Sequence, residues 1–358
     1  MSSIHKVQLT AIASLGSIAK SVARVGTVTI AVLVPFAAPA EPIHLKLSFF
    51  PSENSEIYAS AIKPFVAAVN SGGKGLVSIK VYPNGALGKA VAEQPRMVLD
   101  GRADIAWVIP GQTPYLFPDN ELIEMPGLFH DAREGTLAFT RLIAAKALRG
   151  YQDFFVIGAY TADPTFIHSR KPIGSLAALK GQKIRANNAI EAEAIKLLGA
   201  TPTVMPASKL ANAIGHGTID GAALSPTALF DFGVARVAKN HYLLRGGVAP
   251  LVLVMNRKKF DDLPDAAKAL IRKYSGEWAA ETWIGSFGAG EGEFLDKIKS
   301  DPARTVVEPS TSDLEAAQRI YRSLEEAWTA KSGRNRELWK TMQAELVTIR
   351  SAKFRSVK

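Results

Sequence analysis

Hydrophobic and polar positions repeat with two different periods along the chain, and these periods separate strands from helices. Residues 43–50, IHLKLSFF, alternate like a strand, whereas residues 57–70, IYASAIKPFVAAVN, repeat their apolar positions at helical intervals. A second strand is predicted at 76–85, a helix stopped by a glycine at 93–101, and a third strand at 104–109. This β-α-β-α-β order predicts an α/β fold with a largely parallel sheet covered on both faces.

The same local pattern returns in the second half of the chain. A predicted helix at 208–217 precedes a predicted strand at 219–225, and the spacing G-x-x-D-x-A occurs at both junctions, at 101–106 and 217–222. Glycine suits a left-handed helix end, and the aspartate can bond nearby backbone amides. This repetition favours two similarly built lobes.

Two apolar segments are predicted to connect the lobes. FFVIGAY at 154–160 is expected to cross from one lobe to the other, and LVLVMN at 251–256 is expected to cross back, which together make a hinge. We therefore expect lobe I to comprise 41–160 and 248–290, and lobe II to comprise 161–247 and 291–358.

The last third of the chain is dominated by helical patterns. Residues 261–298 predict one long helix, with glycines at which it could kink. A short strand is expected around 305–308, a helix at about 312–331, and a basic helix at the end.

The N-terminal 40 residues have the pattern of a secretory signal peptide. They contain no acidic residue, carry Lys6, Lys20 and Arg24, and continue into the uncharged run from Val25 to Ala40. That run is too short for an ordinary membrane span, and it ends in the small-x-small pattern Ala-Pro-Ala that a signal peptidase recognises. The sequence therefore predicts cleavage after Ala40 and a periplasmic protein, with an uncleaved anchor as the alternative.

Composition excludes several classes of protein. The chain has 358 residues, 47% of them apolar and 21% charged, which is ordinary for a globular protein and argues against disorder. A chain of this length usually forms two domains. The absence of cysteine excludes disulfide frameworks, thiolate metal sites and cysteine nucleophiles.

The positive charge is concentrated at the C-terminus. Removal of the first 40 residues lowers the formal net charge from +10 to +7, and residues 334–358 carry seven Lys or Arg against two Glu. A basic patch can indicate nucleic acid or anionic membrane, but an exported protein with few aromatic residues in this segment favours neither. We expect a solvated basic face on a terminal helix and no nucleic-acid partner.

The common catalytic and metal-binding motifs do not occur in the sequence. The six histidines show no H-E-x-x-H spacing, and no G-x-S-x-G, P-loop or strand-linked G-x-G-x-x-G is found. Acidic pairs such as Glu121 and Glu124 fall where loops or helix starts are predicted. We therefore expect a secreted binding protein with no metal, no cofactor and no enzymatic activity.

Several motifs resemble one known family. The segment 176–222 contains K-G-x-K-I-R at 180–185, L-G-A-T-P at 198–202 and G-x-x-D-G at 217–221. Further marks are YPNGALG, DGRADIAWVIPG, FPDNELIEMPGLF, HSRKPI and VMNRKKFDDLP. Together they resemble the solute-binding subunits of tripartite ATP-independent periplasmic (TRAP) transporters of the DctP type, over nearly all of the chain after residue 40.

The resemblance implies a fold, a function and a partner. The fold is a two-lobed periplasmic solute-binding protein, or Venus flytrap, with hinge strands and a long bracing helix. Family members bind small organic acids in the interlobe cleft and deliver them to TRAP membrane permease subunits. The carboxylate-binding arginine of K-G-x-K-I-R is Arg185 here, and a planar guanidinium suits bidentate pairing with a carboxylate.

A second cationic ligand is less well supported by the pattern. Arg170 in HSRKPI is a candidate, although the adjacent Lys171 and Pro172 indicate a loop exit. Some family members carry a further arginine where Pro164 aligns here. The absence of that arginine favours a monocarboxylate over a dicarboxylate.

The remaining cleft candidates are mostly apolar. By alignment to the family they are Phe50 and Ile109 in lobe I, and Ala207 and Leu224 in lobe II, and Trp107 in lobe I is a further candidate. Such walls favour a ligand with an apolar or aromatic body, whereas core packing is the alternative for Phe50, Trp107 and Ile109. Tyr115, Asn187 and Ser225 are expected to supply hydrogen bonds.

The sequence thus predicts a periplasmic TRAP solute-binding protein for an apolar or aromatic monocarboxylate. Two alternatives stay open. The same fold could act as a ligand sensor for a signalling receptor, or, with least support, as an enzyme on a binding-protein fold.

Overall fold

A computed structural model describes residues 41–287 and 290–355, which are organised around two β-sheets. The strands are β1 Ile43–Ser48, β2 Val77–Tyr82, β3 Ile105–Val108, β4 Phe154–Thr161, β5 Phe166–Ser169, β6 Lys183–Ala186, β7 Thr201–Val204, β8 Gly221–Leu224, β9 Asn240–Tyr242, β10 Pro250–Asn256 and β11 Thr305–Val307. The proposed signal peptide and its cleavage site lie outside the described residues.

The helices lie between these strands and at the end of the chain. They are α1 Lys63–Gly72, α2 Gln94–Leu99, α3 Ala132–Ala144, α4 Ala189–Leu197, α5 Leu210–Gly215, α6 Pro226–Asp231, α7 Arg257–Asp261, α8 Asp265–Lys273, α9 Glu277–Phe287, α10 Gly290–Ser300, α11 Thr311–Ala330 and α12 Gly333–Arg355. A five-residue π-helix, Tyr58–Ile62, precedes α1. No helix within the described residues is both long enough and apolar enough to cross a membrane.

The two sheets are built on the same plan. The first has the order β2-β1-β3-β10-β4, with β1, β2 and β3 parallel and β10 antiparallel to both of its neighbours. The second has the order β11-β9-β5-β8-β6-β7, in which β6, β7 and β8 are parallel and β5 is antiparallel to β8 and β9. Each sheet therefore has three parallel strands followed by an antiparallel neighbour, as expected for a two-lobed α/β protein.

The repeated G-x-x-D spacing forms the same junction in both sheets. Gly101 and Gly217 both adopt φ +73°, the left-handed conformation that favours glycine. Asp104 accepts the backbone N–H of Lys46 at 2.7 Å, and Asp220 accepts that of Lys183 at 2.9 Å. In each case the carboxylate joins the start of one parallel strand to the next, so these two short motifs set the alignment of β1 with β3 and of β6 with β8.

The chain passes between the sheets in two adjacent segments. Strands β4 and β10 pair with each other inside the first sheet, and the crossings lie at 162–165, directly after β4, and at 246–249, directly before β10. These segments are hydrogen-bonded to each other, with Ala162 N to Ala249 O at 2.9 Å and Thr165 N to Gly247 O at 2.8 Å. The predicted crossing strands therefore stay in the first sheet, and the crossing is made by the residues beside them.

The long helix predicted at 261–298 is interrupted. Helix α8 ends at Lys273 and α9 begins at Glu277, because Gly276 adopts φ +62°, which is incompatible with a continuous helix. The longest helices are instead α11 and α12. Helix α11 packs against α4, and α12 packs against α3 and α11. These two helices connect the elements that flank the two sheets and provide the bracing.

The basic C-terminal helix is not simply a solvated face. Arg334 and Arg149 both bind the carboxylate of Asp119, which is 2% exposed. Arg350 binds buried Glu134 at 3.0 Å. Burial alone would raise the pKa of Asp119, but the hydrogen bonds from Arg334 and Arg149 lower it to about 2. Part of the C-terminal charge therefore anchors α12 to the body of the protein.

Candidate functional site

A cavity lies where the carboxyl ends of strands from both sheets face each other. The empty space of this cavity, together with the solvent at its mouth, is about 660 Å³. Phe50 lies two residues beyond β1, Ile109 directly follows β3, and Leu224 is the last residue of β8. Ligand sites of α/β folds commonly form at such strand ends.

The cavity walls are mostly apolar. Phe50, Ile57, Trp107 and Ile109 line it from the first-sheet half, and Ala207, Leu224, Ala228 and Phe232 line it from the second-sheet half. Residues of the crossing segments and Phe287 of α9 complete the apolar surface. Trp107 is held rigidly, since it packs between Tyr160 at 5.6 Å, Trp283 at 6.1 Å and Phe49 at 6.3 Å between ring centroids. Such a surface suits the body of an apolar or aromatic ligand.

Arg185 on β6 is the one cationic side chain among the described residues that line the cavity. It is 2% exposed, and its Nε donates to Met205 O at 2.8 Å and Nη1 to Ala223 O at 3.3 Å. Its Nη2 donates to Asn187 Oδ1 at 2.8 Å. A guanidinium has five N–H groups, so these bonds leave one N–H on each of the two terminal nitrogens. That pair matches the two oxygens of a carboxylate.

The charge of Arg185 is held in an unfavourable environment. Burial lowers the pKa of Arg185 from 12.5 to about 10, and the opposite charge of Glu191 only partly offsets this effect. No carboxylate of the described residues forms an ion pair with Arg185 within 4.0 Å. Glu191 is thus the lining anion that acts on Arg185 through its charge, but it makes no direct contact with the guanidinium, so a ligand carboxylate that reaches the guanidinium would supply the missing ion pair.

Asn187 is oriented by donors from both halves of the protein. Its Oδ1 accepts from Arg185 and, at 3.1 Å, from Nε2 of Gln112 in the first-sheet half. Gln112 Nε2 also donates to the backbone oxygen of Asn187 at 2.5 Å. The amide nitrogen of Asn187 is buried and has no hydrogen-bond partner in the protein. It is a donor group in the wall of the cavity.

Two further lining residues carry buried polar atoms without a hydrogen-bond partner. They are the indole nitrogen of Trp107 and the hydroxyl of Thr227. Buried polar groups usually have partners, and clusters of exceptions mark functional sites. The indole nitrogen and the Asn187 amide nitrogen can only donate, and the Thr227 hydroxyl can donate or accept. The site is therefore rich in donors, as binding of an oxygen-bearing anion requires.

Glu191 is the acidic member of the lining. It lies in the first turn of α4, which begins after the N-cap Asn188. Its Oε2 accepts the backbone N–H of Asn187 at 2.6 Å, and its Oε1 accepts from the Thr165 hydroxyl at 3.1 Å. Burial raises the pKa of Glu191 above its usual value, and Arg185 and these two hydrogen bonds offset this effect only in part.

The structure brings together eight of the ten residues proposed from the sequence. Those lining the cavity are Phe50, Trp107, Ile109, Arg185, Asn187, Ala207, Leu224 and Ser225. The other two lie elsewhere, contrary to expectation. Arg170 lies in the loop that follows β5 and forms an ion pair with Asp220, with 3.7 Å between Nε and Oδ1. Tyr115 is 67% exposed in the loop after β3.

Sequence reasoning missed several lining residues. They include Ile57, Thr165, Glu191, Thr227 and Phe232. Glu191 had a signal, because Asn188 and Glu191 have the spacing of an N-cap and its third helical residue. The same arrangement recurs at Asp131 and Glu134. This signal locates a helix start but not the burial of its carboxylate in a cavity wall.

Metal-ligating side chains do not cluster in the structure. No group of three or more His, Asp or Glu side chains suited to a metal ion occurs among the described residues. His168 and His241 do meet, with 2.7 Å between their Nδ1 atoms, but they form a buried pair beneath Leu224.

Comparison with known proteins identifies one family. Residues 47–331 match the sequence profile of the family described as bacterial extracellular solute-binding protein, family 7, or DctP. Among characterised relatives, the C4-dicarboxylate-binding periplasmic protein DctP of Rhodobacter capsulatus is 25% identical over 270 residues, covering 71% of this chain and 77% of the relative.

Two solved structures are similar over almost their whole length. One is a TRAP solute-binding protein of an unidentified marine microbe, specific for aromatic acid ligands and bound to metahydroxyphenylacetate, with 26% identity and a TM-score of 0.77 over 86% of this chain and 99% of that one. The other is a TRAP solute-binding protein from Rhodoferax ferrireducens T118 with copurified benzoate, with 26% identity and a TM-score of 0.78 over 87% and 99%.

Proposed function

The chain belongs to family 7 of the bacterial extracellular solute-binding proteins, the DctP-type TRAP solute-binding subunits, and on that premise we propose that it captures an aromatic or other apolar monocarboxylate. The acid binds in the cavity between the two sheets and is delivered to the TRAP membrane permease subunits. The family is extracytoplasmic and is a family of binding proteins.

The observation that carries this proposal is the arrangement around Arg185. A buried guanidinium offers one N–H on each terminal nitrogen, beside the Asn187 amide donor. Two parallel N–H···O bonds to a carboxylate are stronger and more specific than a single contact. The walls around this polar end are apolar, so the carboxylate binds at Arg185 and the body of the acid packs against Phe50, Trp107 and Leu224.

The charges of the site favour one carboxylate over two. Arg185 is the only lining cation of the described residues, and Arg170, the second candidate, lies outside the lining and binds Asp220. A second ligand carboxylate would be buried without a counter-charge, which is costly. The ligands of the two similar solved structures, benzoate and metahydroxyphenylacetate, are monocarboxylates with an aromatic body.

Binding is proposed to close the two lobes, with lobe I at 41–160 and 248–290 and lobe II at 161–247 and 291–358. The cavity residues come from both, with Phe50 and Trp107 in the first and Arg185 and Leu224 in the second. A ligand shifts an open–closed equilibrium only through contacts that differ between the two states. An acid that touches both lobes fulfils this condition.

Export is proposed to remove the first 40 residues. The expected N-terminus of the periplasmic protein is Glu41. N-terminal sequencing of the exported protein tests this assignment, and a start at Met1 would contradict it.

A thermal-shift screen of organic acids tests the proposed ligand class. The exported protein is heated with benzoate, 3-hydroxybenzoate, phenylacetate and hexanoate, and with succinate and glucuronate for comparison. A ligand at a hundredfold excess over its Kd stabilises the native state by about 2.7 kcal/mol, which is readily measured. Shifts confined to the apolar monocarboxylates are expected. Shifts with succinate or glucuronate alone would contradict the assignment of the apolar walls and the single cation.

A further inference from the structure

Glu191 places a carboxylate in the wall of a site proposed to receive a carboxylate. Arg185 and Glu191 are the two charged side chains among the described lining residues. Their formal charges cancel when both are ionised. A bound carboxylate would therefore leave the cavity with one uncompensated negative charge.

Such an excess charge is costly in a buried site. Glu191 is 5% exposed and Arg185 is 2% exposed, so water does little to screen a third charge between them. Buried groups with an unmatched charge change their protonation state instead of remaining ionised. One carboxylate of the complex is thus expected to become neutral, and a benzoate-like ligand paired with a guanidinium is the one better stabilised as an anion.

The hydrogen bonds of Glu191 accommodate a proton without disruption. Its Oε2 accepts a backbone N–H from Asn187, a bond that a protonated carboxyl group retains. Its Oε1 lies 3.1 Å from the hydroxyl of Thr165, which donates to the carboxylate. A hydroxyl can also accept, so rotation of the Thr165 O–H allows a protonated Oε1 to donate in the opposite direction.

The other titratable groups around Glu191 do not take this role. Burial and the charges of Glu191 and Glu121 already raise the pKa of Glu124 well above its usual value, which disfavours its ionised form before the ligand arrives. Burial and the charge of Glu191 likewise raise the pKa of Tyr321, which stays neutral. The charge of Arg185 opposes the effect of burial on the pKa of Glu191, and a ligand carboxylate at Arg185 would offset that charge.

We propose that Glu191 takes up one proton from solvent when the acid binds to Arg185, so that the site captures a carboxylate together with a proton. The proton bonds to a Glu191 carboxyl oxygen, and the complex then contains one cation and one anion. This inference rests on the proposed function. It makes affinity for the acid fall as pH rises, because the proton is a second ligand of the closed site.

Calorimetric titration of the exported protein with benzoate tests the inference. Titrations at pH 7 in phosphate, imidazole and Tris differ in the heat of buffer ionisation, and the slope of binding enthalpy against that heat counts the protons taken up. We expect about one proton per benzoate in the wild type, and an affinity that falls up to tenfold for each unit of pH above 7.

Glu191→Gln is the decisive variant, because glutamine has the shape and the hydrogen bonds of a protonated glutamate. It is expected to bind benzoate with no proton uptake and with an affinity independent of pH between 7 and 8. Glu124→Gln is the matched control, since it replaces a neighbouring carboxyl group that lies outside the cavity lining and whose pKa burial already raises, and its proton uptake is expected to equal that of the wild type.

The outcomes separate the inference from the function on which it rests. Benzoate binding by the wild type without proton uptake overturns the inference and leaves the proposed function standing, and this result does not depend on any variant. Uptake that persists in Glu191→Gln, or that disappears in Glu124→Gln, overturns the assignment to Glu191. Failure of every acid in the thermal-shift screen overturns the proposed function, and the inference with it.

Discussion

The buried pair His168 and His241 predicts a specific loss of stability in mild acid. His168 Nε2 lies 3.2 Å from Leu224 O, which can only accept, and His241 Nε2 lies 3.3 Å from Arg304 Nη1, which can only donate. These partners assign one proton to His168 Nε2 and one to His241 Nδ1, which donates to His168 Nδ1. Both rings are therefore neutral in the folded protein.

The magnitude of the effect follows from the pKa values. Burial and repulsion by Arg304 and Lys239 lower the pKa of His241 from 6.5 to about 4. Burial and repulsion by His241 and Arg304 lower the pKa of His168 well below 6.5, and the hydrogen bond to Leu224 O opposes this effect only in part. Below pH 6.5 the unfolded chain binds more protons than the folded one. The contribution of the neutral histidine pair to the free energy of unfolding is therefore fully present above that pH and is lost as pH falls. At pH 5 the loss is about 2 kcal/mol from His241, and the lowered pKa of His168 adds to it in the same direction.

Urea unfolding at pH 7.5, 6 and 5 measures this loss, with His241→Gln as the test variant. Glutamine does not titrate, yet it can donate to His168 and accept from Arg304. The pH-dependent loss in the free energy of unfolding is expected to shrink by about 2 kcal/mol in this variant. The exposed His216 provides the control, because His216→Gln should keep the full wild-type loss. Equal losses in His241→Gln and the wild type would refute the reasoning.

Three further substitutions test other parts of the structure. Asp119→Asn removes the anion shared by two arginines, and because the pKa of Asp119 is about 2 instead of 3.8, we expect a loss of about 2 kcal/mol at pH 7 in urea unfolding. Unchanged stability would show that these ion pairs do not anchor α12. Gly101→Ala adds a Cβ where φ is +73° and no atom lies within 4 Å. The left-handed backbone conformation alone should therefore lower the free energy of unfolding by about 1 kcal/mol in thermal unfolding, and a neutral effect would contradict that conformation. Gly111→Ala would place a Cβ 1.9 Å from Oε1 of Glu124, so we expect the free energy of unfolding to fall by about 1–3 kcal/mol. The same substitution in a Glu124→Ala background should not lower it, and equal losses in both backgrounds would exclude this clash.

The architecture of the two sheets was largely predictable, because local signals determine it. The spacing G-x-x-D at Gly101 and Gly217 indicated two similar junctions, and in the structure both glycines adopt the same φ and both aspartates accept a backbone N–H from the adjacent strand. The failure at 261–298 also has a local cause. Gly276 ends one helix by adopting a left-handed conformation, which helical periodicity does not reveal.

The chemistry of the site was only partly predictable. Arg185 ends a recognisable motif, so the resemblance to the family could identify it, and Asn187, two residues later, was a candidate because of its amide group. Glu191 needs the three-dimensional structure, because its burial depends on segments that pack against α4 from elsewhere in the chain. The pairing of His168 with His241 is a cross-strand contact between β5 and β9, set by a register that no spacing in the sequence encodes.

Arg170 shows the limit of assignment by residue type. Its side chain has the same chemistry as Arg185, but it lies beyond β5 beside Asp220 and is partly exposed. Arg185 differs because β6 directs it into a site lined by backbone carbonyls, where no carboxylate of the described residues pairs with it. Position on the sheet, and not the presence of a guanidinium, decides which arginine can bind an acid in a dry site.

The affinity of the exported protein for benzoate, compared with that of Arg185→Met and Arg170→Met, tests the central claim most directly. Methionine preserves the apolar length of the side chain and removes the charge in both variants. We expect Arg185→Met to bind benzoate at least about 30-fold more weakly than the wild type, because the ligand carboxylate loses its buried partner, and Arg170→Met to bind it as the wild type does. Wild-type affinity in Arg185→Met, or a comparable loss in Arg170→Met, would contradict the account.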